Sequence, residues 1–245
     1  MKNDIMKLAA LMGEASRIVF FGGAGVSTES GIPDFRSAQG LYRENRAIPP
    51  ETILSRSFFE QHPDLFYAYY KEKLLAPGAK PNAAHLALAK LEAMGRLRCV
   101  ITQNIDGLHQ AAGSRNVLEL HGSAARYSCI RCGKAETLRN VLASDPLPHC
   151  SACGGLVRPD IVLYEEGLDP TVTSEAVRQI RASDLLIIGG TSLMVYPAAS
   201  YAQQASGSIV IINRDTTPLD ASADLVIHAP IGETLRQAVD ALPGA

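Results

Sequence analysis

Arg17-Ile-Val-Phe-Phe-Gly-Gly-Ala-Gly-Val-Ser-Thr28 is the stretch that decides the fold. Ile18–Phe21 is apolar on both faces of the strand it would form. It runs straight into Gly22, Gly23, Ala24 and Gly25. An apolar run without alternation fits a strand covered on both sides, as in a parallel sheet flanked by helices. Glycines at its end let the backbone approach a pyrophosphate, and a helix following them would offer free N–H groups. The third glycine of GxGxxG is replaced by Thr28, so an ordinary strand-to-helix turn stands beside the phosphate reading. Gly25-Val-Ser27-Thr-Glu29 lacks the second glycine of a GxSxG elbow, which argues against Ser27 as a nucleophile.

Working outward, the same short apolar runs recur at Cys99–Ile101, Val117–Leu120, Leu185–Ile188, Ile209–Ile212 and Leu225–Ile227. Helical patterns separate them. Asn82 to Met94 puts Ala84, Leu88 and Leu91 on one face and stops at Gly95. Glu175 to Ile180, Pro197 to Ala205 and Glu233 to Leu242 follow, and Met1 to Ser16 reads as an amphipathic helix. Alternating strands and helices predict an α/β, doubly wound, parallel Rossmann-like sheet. Two stretches break the rhythm: residues 37–80, mostly helical, and residues 126–157, polar and turn-rich. The expectation is one domain over 1–245. Its large lobe comprises 1–36, 81–125 and 158–245, and its smaller lobe is built from 37–80 and 126–157 over the ligand-binding edge.

The 245 residues are 47% apolar and 20% charged, which fits a globular protein. Net charge is −2 with both signs interspersed, so no basic face for nucleic acid is expected. Lys7 and Glu14 interrupt the N-terminal apolar residues, and no 18-residue uncharged apolar window occurs, so neither a signal peptide nor a membrane span is expected. A cytoplasmic monomer is the expectation.

Four of the five cysteines form two CxxC pairs, Cys129/Cys132 and Cys150/Cys153, with 17 residues between the pairs. That spacing fits two tight turns whose thiolates make a tetrahedron around zinc. Four thiolates leave no open position, so the ion would be structural. Cys99 lies in an apolar run and reads as a buried strand thiol.

The remaining polar motifs cluster at predicted strand ends, where open α/β sheets bind ligands. Gly31-Ile-Pro-Asp34-Phe35-Arg36 reads as a loop because of Pro33. Its arginine could neutralise phosphate and its phenylalanine cover a flat ring, or the loop could simply carry a surface Asp–Arg pair. Thr102-Gln103-Asn104-Ile105-Asp106 offers groups that match ribose hydroxyls and a carboxamide, or a capped turn into a helix near Asp106. His121 follows another strand; its imidazole could take a proton near neutral pH, though a lone histidine is often structural. Thr191, Ser192 and Asn213 sit at the same predicted edge.

Gly23-Ala-Gly-x-Ser, Gly31-Ile-Pro-Asp-Phe-Arg, Thr102-Gln-Asn-Ile-Asp, His121-Gly, the two CxxC pairs, Arg158-Pro159 and Gly190-Thr-Ser-Leu together resemble the sirtuin family, in its order, from about residue 5 to 240. The compact length looks like a bacterial or archaeal member. The resemblance implies an NAD-dependent protein-lysine deacylase that consumes NAD and holds one structural zinc. By the same resemblance, Gly23, Ala24, Gly25, Thr28, Asp34, Phe35, Arg36, Gln103, Thr191, Ser192, Asn213 and Ile231 would hold NAD. Ile105 and Asp106 would position its nicotinamide, Asn104 would organise the ribose, and His121 would be the general base. The acyl-lysine amide oxygen would attack C1′ as nicotinamide leaves, and the acyl group would end on ADP-ribose. Arg158-Pro-Asp-Ile-Val-Leu-Tyr-Glu-Glu166 resembles the substrate strand. Val162, Leu163, Tyr164 and Glu165 would receive an acyl-lysine peptide by β-pairing, with Val195 opposite and Tyr70 at the acyl end.

Three positions depart from the family's pattern: Gly22 where Thr is frequent, Glu165 where Gly is common, and Tyr70-x-x-Lys73 where members preferring acidic acyl groups carry Tyr-x-x-Arg. Lysine lacks arginine's bidentate fork, which favours an uncharged acyl group. Rival readings are ADP-ribosyl transfer or NAD hydrolysis in the same cleft, a Rossmann dehydrogenase, and a non-enzymatic zinc-containing binding module.

Overall fold

The computed structural model describes residues 2–38 and 40–243; Met1, Gln39, Gly244 and Ala245 lie outside it. Six parallel strands form the main sheet: β1 (Ile18–Gly22), β2 (Leu97–Thr102), β3 (Val117–Glu119), β7 (Leu185–Gly189), β8 (Ser208–Ile212) and β9 (Leu225–Ile227). Their order, β3-β2-β1-β7-β8-β9, reverses direction between β1 and β7. The loops after those two strands therefore part and leave a crevice.

Successive side chains of a strand point to opposite faces, and here both faces are covered. Phe20, Val100, Ile187 and Val210 pack against α1 (Lys2–Glu14), α5 (Ala83–Ala93) and α10 (Ile231–Asp240). Val19, Phe21, Ile101, Leu186 and Ile188 pack against α8 (Pro170–Ala182) and α9 (Ala198–Ala202). This explains why β1 and β7 are buried at every residue.

A second, antiparallel sheet, β5-β4-β6, consists of β4 (Gly122–Cys129), β5 (Ala135–Glu136) and β6 (Val157–Ile161). Gly122 pairs with Ile161 and Cys129 with Val157, so this sheet takes residues 122–125 and 158–161 across the expected lobe boundaries. The helical insertion supplies α2 (Pro50–Ile53), α3 (Arg56–Gln61) and α4 (Pro63–Tyr69), and α4 runs into a π-helical turn over Tyr70–Leu74. Phe58, Phe59, Phe66, Tyr67 and Tyr70 share one apolar cluster with Tyr127, Cys129, Val157 and Ile161. The two insertions are thus one packed body. Between β3 and β2 a short α6 (Leu108–Ala111) and, in the cysteine-bearing segment, α7 (Leu138–Ala143) complete the fold.

One expectation fails. No α-helix follows Gly25; two 3₁₀ turns, Ala24–Val26 and Thr28–Ser30, take its place. Gly31 is left-handed at φ 83° and Pro33 has no N–H, so the chain cannot coil onward.

Candidate active site

A cleft of about 520 Å³ opens between the carboxyl edge of the main sheet and the second body. Its walls include Gly23–Gly25, Asp34–Arg36, Gln103–Asp106, His121, Val162–Glu165, Thr191, Ser192, Val195 and Asn213. Residues far apart in the chain meet there because each follows a strand of one parallel sheet or pairs with such a segment.

The glycine loop packs directly on the loop after β7. Gly25 N–H donates to Gly190 O at 2.8 Å, and a Cβ on Gly25 would come within 2.8 Å of the Gly190 backbone. Only glycine permits that approach, so the strand-end backbone stays open toward the cleft. Gln103 Nε2 donates to Thr191 Oγ1 at 3.1 Å, tying the β2 end to the β7 end. Asp34 organises its own loop, accepting from Arg36 N–H at 3.0 Å and Ser37 N–H at 2.8 Å. Asn213 Nδ2 donates to Asp215 O at 2.8 Å.

A polar triad sits deeper. Ser27 Oγ donates to Asp106 Oδ2 at 2.6 Å, and Asn104 Nδ2 donates to Ser27 Oγ at 3.1 Å. Asp106 Oδ1 accepts from Leu108 N–H at 2.9 Å, ahead of α6. Ser27 is 1% exposed and lines the cleft, so its hydroxyl orients Asn104 and Asp106 together. Sequence reasoning dismissed Ser27 as a nucleophile and missed this supporting role. Its place in Gly-Ala-Gly-Val-Ser was the only available signal.

His121 Nδ1 lies 2.9 Å from Gln103 O. A carbonyl oxygen only accepts, so Nδ1 carries the proton and Nε2 is left as a base. Burial pushes the His121 pKa down, more than the Gln103 carbonyl raises it, so the ring is neutral at pH 7. His121 O also accepts from Val162 N–H at 3.0 Å, joining the imidazole-bearing turn to the segment after β6.

That segment is clamped on itself. Arg158 forms two bonds to Glu166, at 2.8 and 2.9 Å, and Glu166 Oε2 also accepts from Leu163 N–H at 2.9 Å. Burial pushes the Glu166 carboxyl up, but Arg158 and the Leu163 N–H together hold it below the usual glutamate value. Among the described residues, two non-glycines have left-handed backbones: Glu165 (φ 73°), which lines the cleft, and Leu193 (φ 54°), which lies between the lining residues Ser192 and Met194. Such strain gathers at binding sites when surrounding contacts hold it.

Three expected site residues lie elsewhere. Thr28 donates to Gly25 O at 3.0 Å and closes its turn outside the cleft wall. Ile231 is 4% exposed in the main core, where its Cδ1 occupies the space a Gly189 Cβ would need. Tyr70 is fully buried; its hydroxyl meets Tyr127 OH at 3.1 Å and its ring stacks 5.8 Å from Phe66. Lys73 does line the cleft, but its ammonium is 2.7 Å from Glu44 and 3.3 Å from Glu72.

Away from the cleft, the four paired cysteines converge. Their Sγ atoms all lie within 4.8 Å of one another, with pairs at 3.4, 3.5 and 3.7 Å. A tetrahedron with Zn–S near 2.3 Å has edges of about 3.8 Å, so this donor set fits one zinc ion. Arg131 N–H and Ala152 N–H point at Cys129 Sγ and Cys150 Sγ, both at 3.4 Å, as two knuckles would require.

Comparison with known proteins agrees with this geometry. The sequence profile of the Sir2 family matches residues 23–197. A Clostridium perfringens protein named NAD-dependent protein deacetylase is 52% identical over 98% of this chain and 100% of its own length. Another of that name from Clostridium acetobutylicum is 52% identical over 97% of this chain and 98% of its own. A Sir2 structure with p53 peptide and NAD+ superimposes at TM-score 0.86, with 40% identity, covering 96% of this chain and 97% of that one. With half the residues shared along nearly the whole length, and the family profile matching residues 23–197, the chain belongs to the Sir2 family.

Proposed function

We propose that the cleft binds NAD and an acyl-lysine peptide together, and that the chain is an NAD-dependent protein-lysine deacetylase. The observation that carries this reading is His121. It is neutral, held by Gln103 O, and joined through its own carbonyl to Val162, in the cleft that also holds the glycine cradle. NAD supplies an activated glycosidic bond and the ribose hydroxyl that takes the acyl group. The protein's part is to hold, orient and move a proton.

Gly23, Ala24, Gly25, Thr191 and Ser192 form the backbone cradle for the pyrophosphate, with Arg36 as its cation and Asn213 at the adenosine end. Phe35 and Ile105 give the apolar cover from which water must be excluded. Asp106 accepts from a carboxamide NH₂, and Ser27 and Asn104 fix its direction. His121 Nε2 would take the proton of a ribose hydroxyl. Val162, Leu163, Tyr164 and Val195 receive the peptide backbone on either side of the lysine. The acyl group is uncharged, acetyl first, because the Lys73 ammonium is already spent on Glu44 and Glu72.

The four thiols suit a reducing compartment such as the cytoplasm. One chain supplies every wall of the cleft, which supports a monomer as the working unit. Interspersed charge at net −2 offers no stripe for nucleic acid.

The test is mass spectrometry of acetyl- and succinyl-lysine peptides incubated with NAD. Deacetylated peptide, nicotinamide and O-acetyl-ADP-ribose should appear in equal amounts. His121→Ala should lose about 10²–10⁴-fold, the usual worth of general-base help. Nicotinamide release without peptide, or ADP-ribose attached to protein, would replace deacetylation by hydrolysis or transfer.

A further inference from the structure

The hydroxyls of Tyr42 and Tyr164 lie 2.6 Å apart. The two residues come from segments 122 positions apart, and both line the cleft. Tyr42 belongs to the loop that carries Phe35 and Arg36. Leu41 N–H and Tyr42 N–H donate to Asp34 O and Phe35 O, each at 2.9 Å. The Tyr42 ring lies 5.2 Å from the Phe35 ring, and the Arg36 guanidinium sits 5.1 Å from its centre. Anything that fixes Tyr42 therefore fixes two side chains assigned above to NAD.

Tyr164 is fixed from the other direction. Its N–H donates to Leu54 O and its carbonyl accepts from Arg56 N–H, both at 3.0 Å. The next residue, Glu165, is bound through its carboxylate to Ser57 N–H and Ser57 Oγ, both at 2.9 Å. The Tyr164 backbone is thus held to the start of α3, and its side chain is the arm that reaches across.

We propose that Tyr42 is a positioning residue for NAD, acting through Phe35 and Arg36, and that the Tyr164 hydroxyl holds it in place. The peptide-pairing segment would then help to shape the cofactor half of the cleft. This rests on the reading of the cleft as an NAD and acyl-lysine site. A phenylalanine at 164 would fill the same space without making the tie, so the chemistry resides in one oxygen atom. Burial and the neighbouring phenol push the Tyr42 pKa far up, so the Tyr42 hydroxyl keeps its proton across the working pH range.

The experiment uses the full chain and two variants that keep both rings, Tyr42→Phe and Tyr164→Phe, with the double variant. ADP-ribose affinity is measured by calorimetry without peptide, and KM for NAD and for acetyl-peptide by steady-state kinetics. One hydrogen bond's net worth corresponds to a roughly two- to tenfold change. Each single variant should weaken ADP-ribose and raise KM for NAD by that factor, with the loss concentrated there rather than in kcat. The double variant should be no worse than either single one, because both remove the same bond. Unchanged ADP-ribose affinity in Tyr164→Phe, or losses that multiply in the double variant, would overturn the proposal. If the unmodified protein binds ADP-ribose but does not deacetylate, the deacetylase reading fails while the calorimetric arm still judges the tie.

Discussion

Glu165 stands at φ 73°, in a region that costs a residue with a Cβ about 1–2 kcal/mol. Its side chain offsets that cost. Ser57 is the second residue of α3, so its N–H has no partner inside the helix. Glu165 supplies one and accepts from the serine hydroxyl as well, and its negative charge suits the positive helix end. A helix-end acceptor contributes about 0.5–2 kcal/mol, and solvent exposure of Glu165 places it in the lower half of that range. Glu165→Ala keeps the strain and loses the acceptor, so it should destabilise by about 1 kcal/mol. In a chain of this size that lowers Tm by about 2–4 °C. Glu165→Gly loses the same acceptor but removes the strain. Against this relief stands the larger unfolded-state entropy of glycine, about 0.5–1 kcal/mol. Glycine should therefore land between alanine and the natural residue, about 0.5–1 kcal/mol above alanine. Glu165→Gln keeps an acceptor and should cost least. The assay is a set of thermal melts at fixed zinc without ligands, repeated at high salt, where the charge-dependent part shrinks. KM for acetyl-peptide should rise in the alanine and glycine variants, since both loosen the segment from Val162 to Glu166. An alanine variant as stable as the natural protein, or a glycine variant less stable than alanine, would refute the reasoning.

Ser27→Ala leaves Asp106 and Asn104 without their shared partner; kcat/KM for NAD should fall about 10–100-fold, the worth of a bond to a charged group, with little change in KM for peptide. His109 is buried against His85, with ring centroids 4.7 Å apart, and burial, then His85, pushes its pKa down to about 3. The fold thus holds it neutral, so its contribution is full above about pH 6.5 and is lost as pH falls toward 3, by up to about 1.4 kcal/mol per pH unit. Melts from pH 7.5 to 4.5 should show that slope, and His109→Phe should flatten it; an unchanged slope would assign acid sensitivity to other groups. Stripping zinc with a chelator, or Cys150→Ala, should cost helical signal as well as activity, because the thiolate turns share a core with α3 and α4. A zinc-reporter dye read beside circular dichroism checks this, and metal loss without structural change would contradict it.

The main sheet was legible because its strands are buried on both faces and carry uninterrupted apolar runs. The zinc set was legible because CxxC spacing encodes a turn. Other features were hidden for physical reasons. Tyr70 was assigned to the acyl end by resemblance alone. Tyr70 lies one turn after Phe66 and shares its buried face, so it enters the aromatic core, while Lys73 in the π turn that follows reaches the cleft wall. Ile231 begins α10 near the sheet edge, but Gly189 leaves a space in the core that its side chain fills. Of the second sheet, the segment from Arg158 was read as a strand by resemblance alone, and β4, Gly-Ser-Ala-Ala-Arg-Tyr-Ser-Cys, has no apolar run to announce it. Ser27 and Tyr42 touch other side chains of the cleft rather than standing in a motif of their own: Ser27 bonds Asn104 and Asp106, and Tyr42 lies against Phe35 and Arg36.

The thiolate cluster lies away from the cleft, yet one strand pair connects them. β4 has Cys129 at one end, and at the other Gly122 follows His121 directly. β6 pairs with it at both ends, Cys129 with Val157 and Gly122 with Ile161, and then leads into Val162. Between those ends the ladder is interrupted, and Ala124 N–H turns to Ile105 O at 2.9 Å instead. A slip of one residue would turn every side chain of β6 to the opposite face and take Val157 and Ile161 out of the core. Val162 would then no longer meet His121 O. Zinc fixes Cys129 to Cys150 and Cys153, and Cys150 N–H donates to Gly155 O at 2.7 Å, two residues before β6 begins. Zinc bound there would hold the chain before β6 to β4, and through that pairing Val162 to His121. Its loss should damage peptide KM and kcat before it damages ADP-ribose affinity, since the glycine cradle and Thr191 belong to the other sheet.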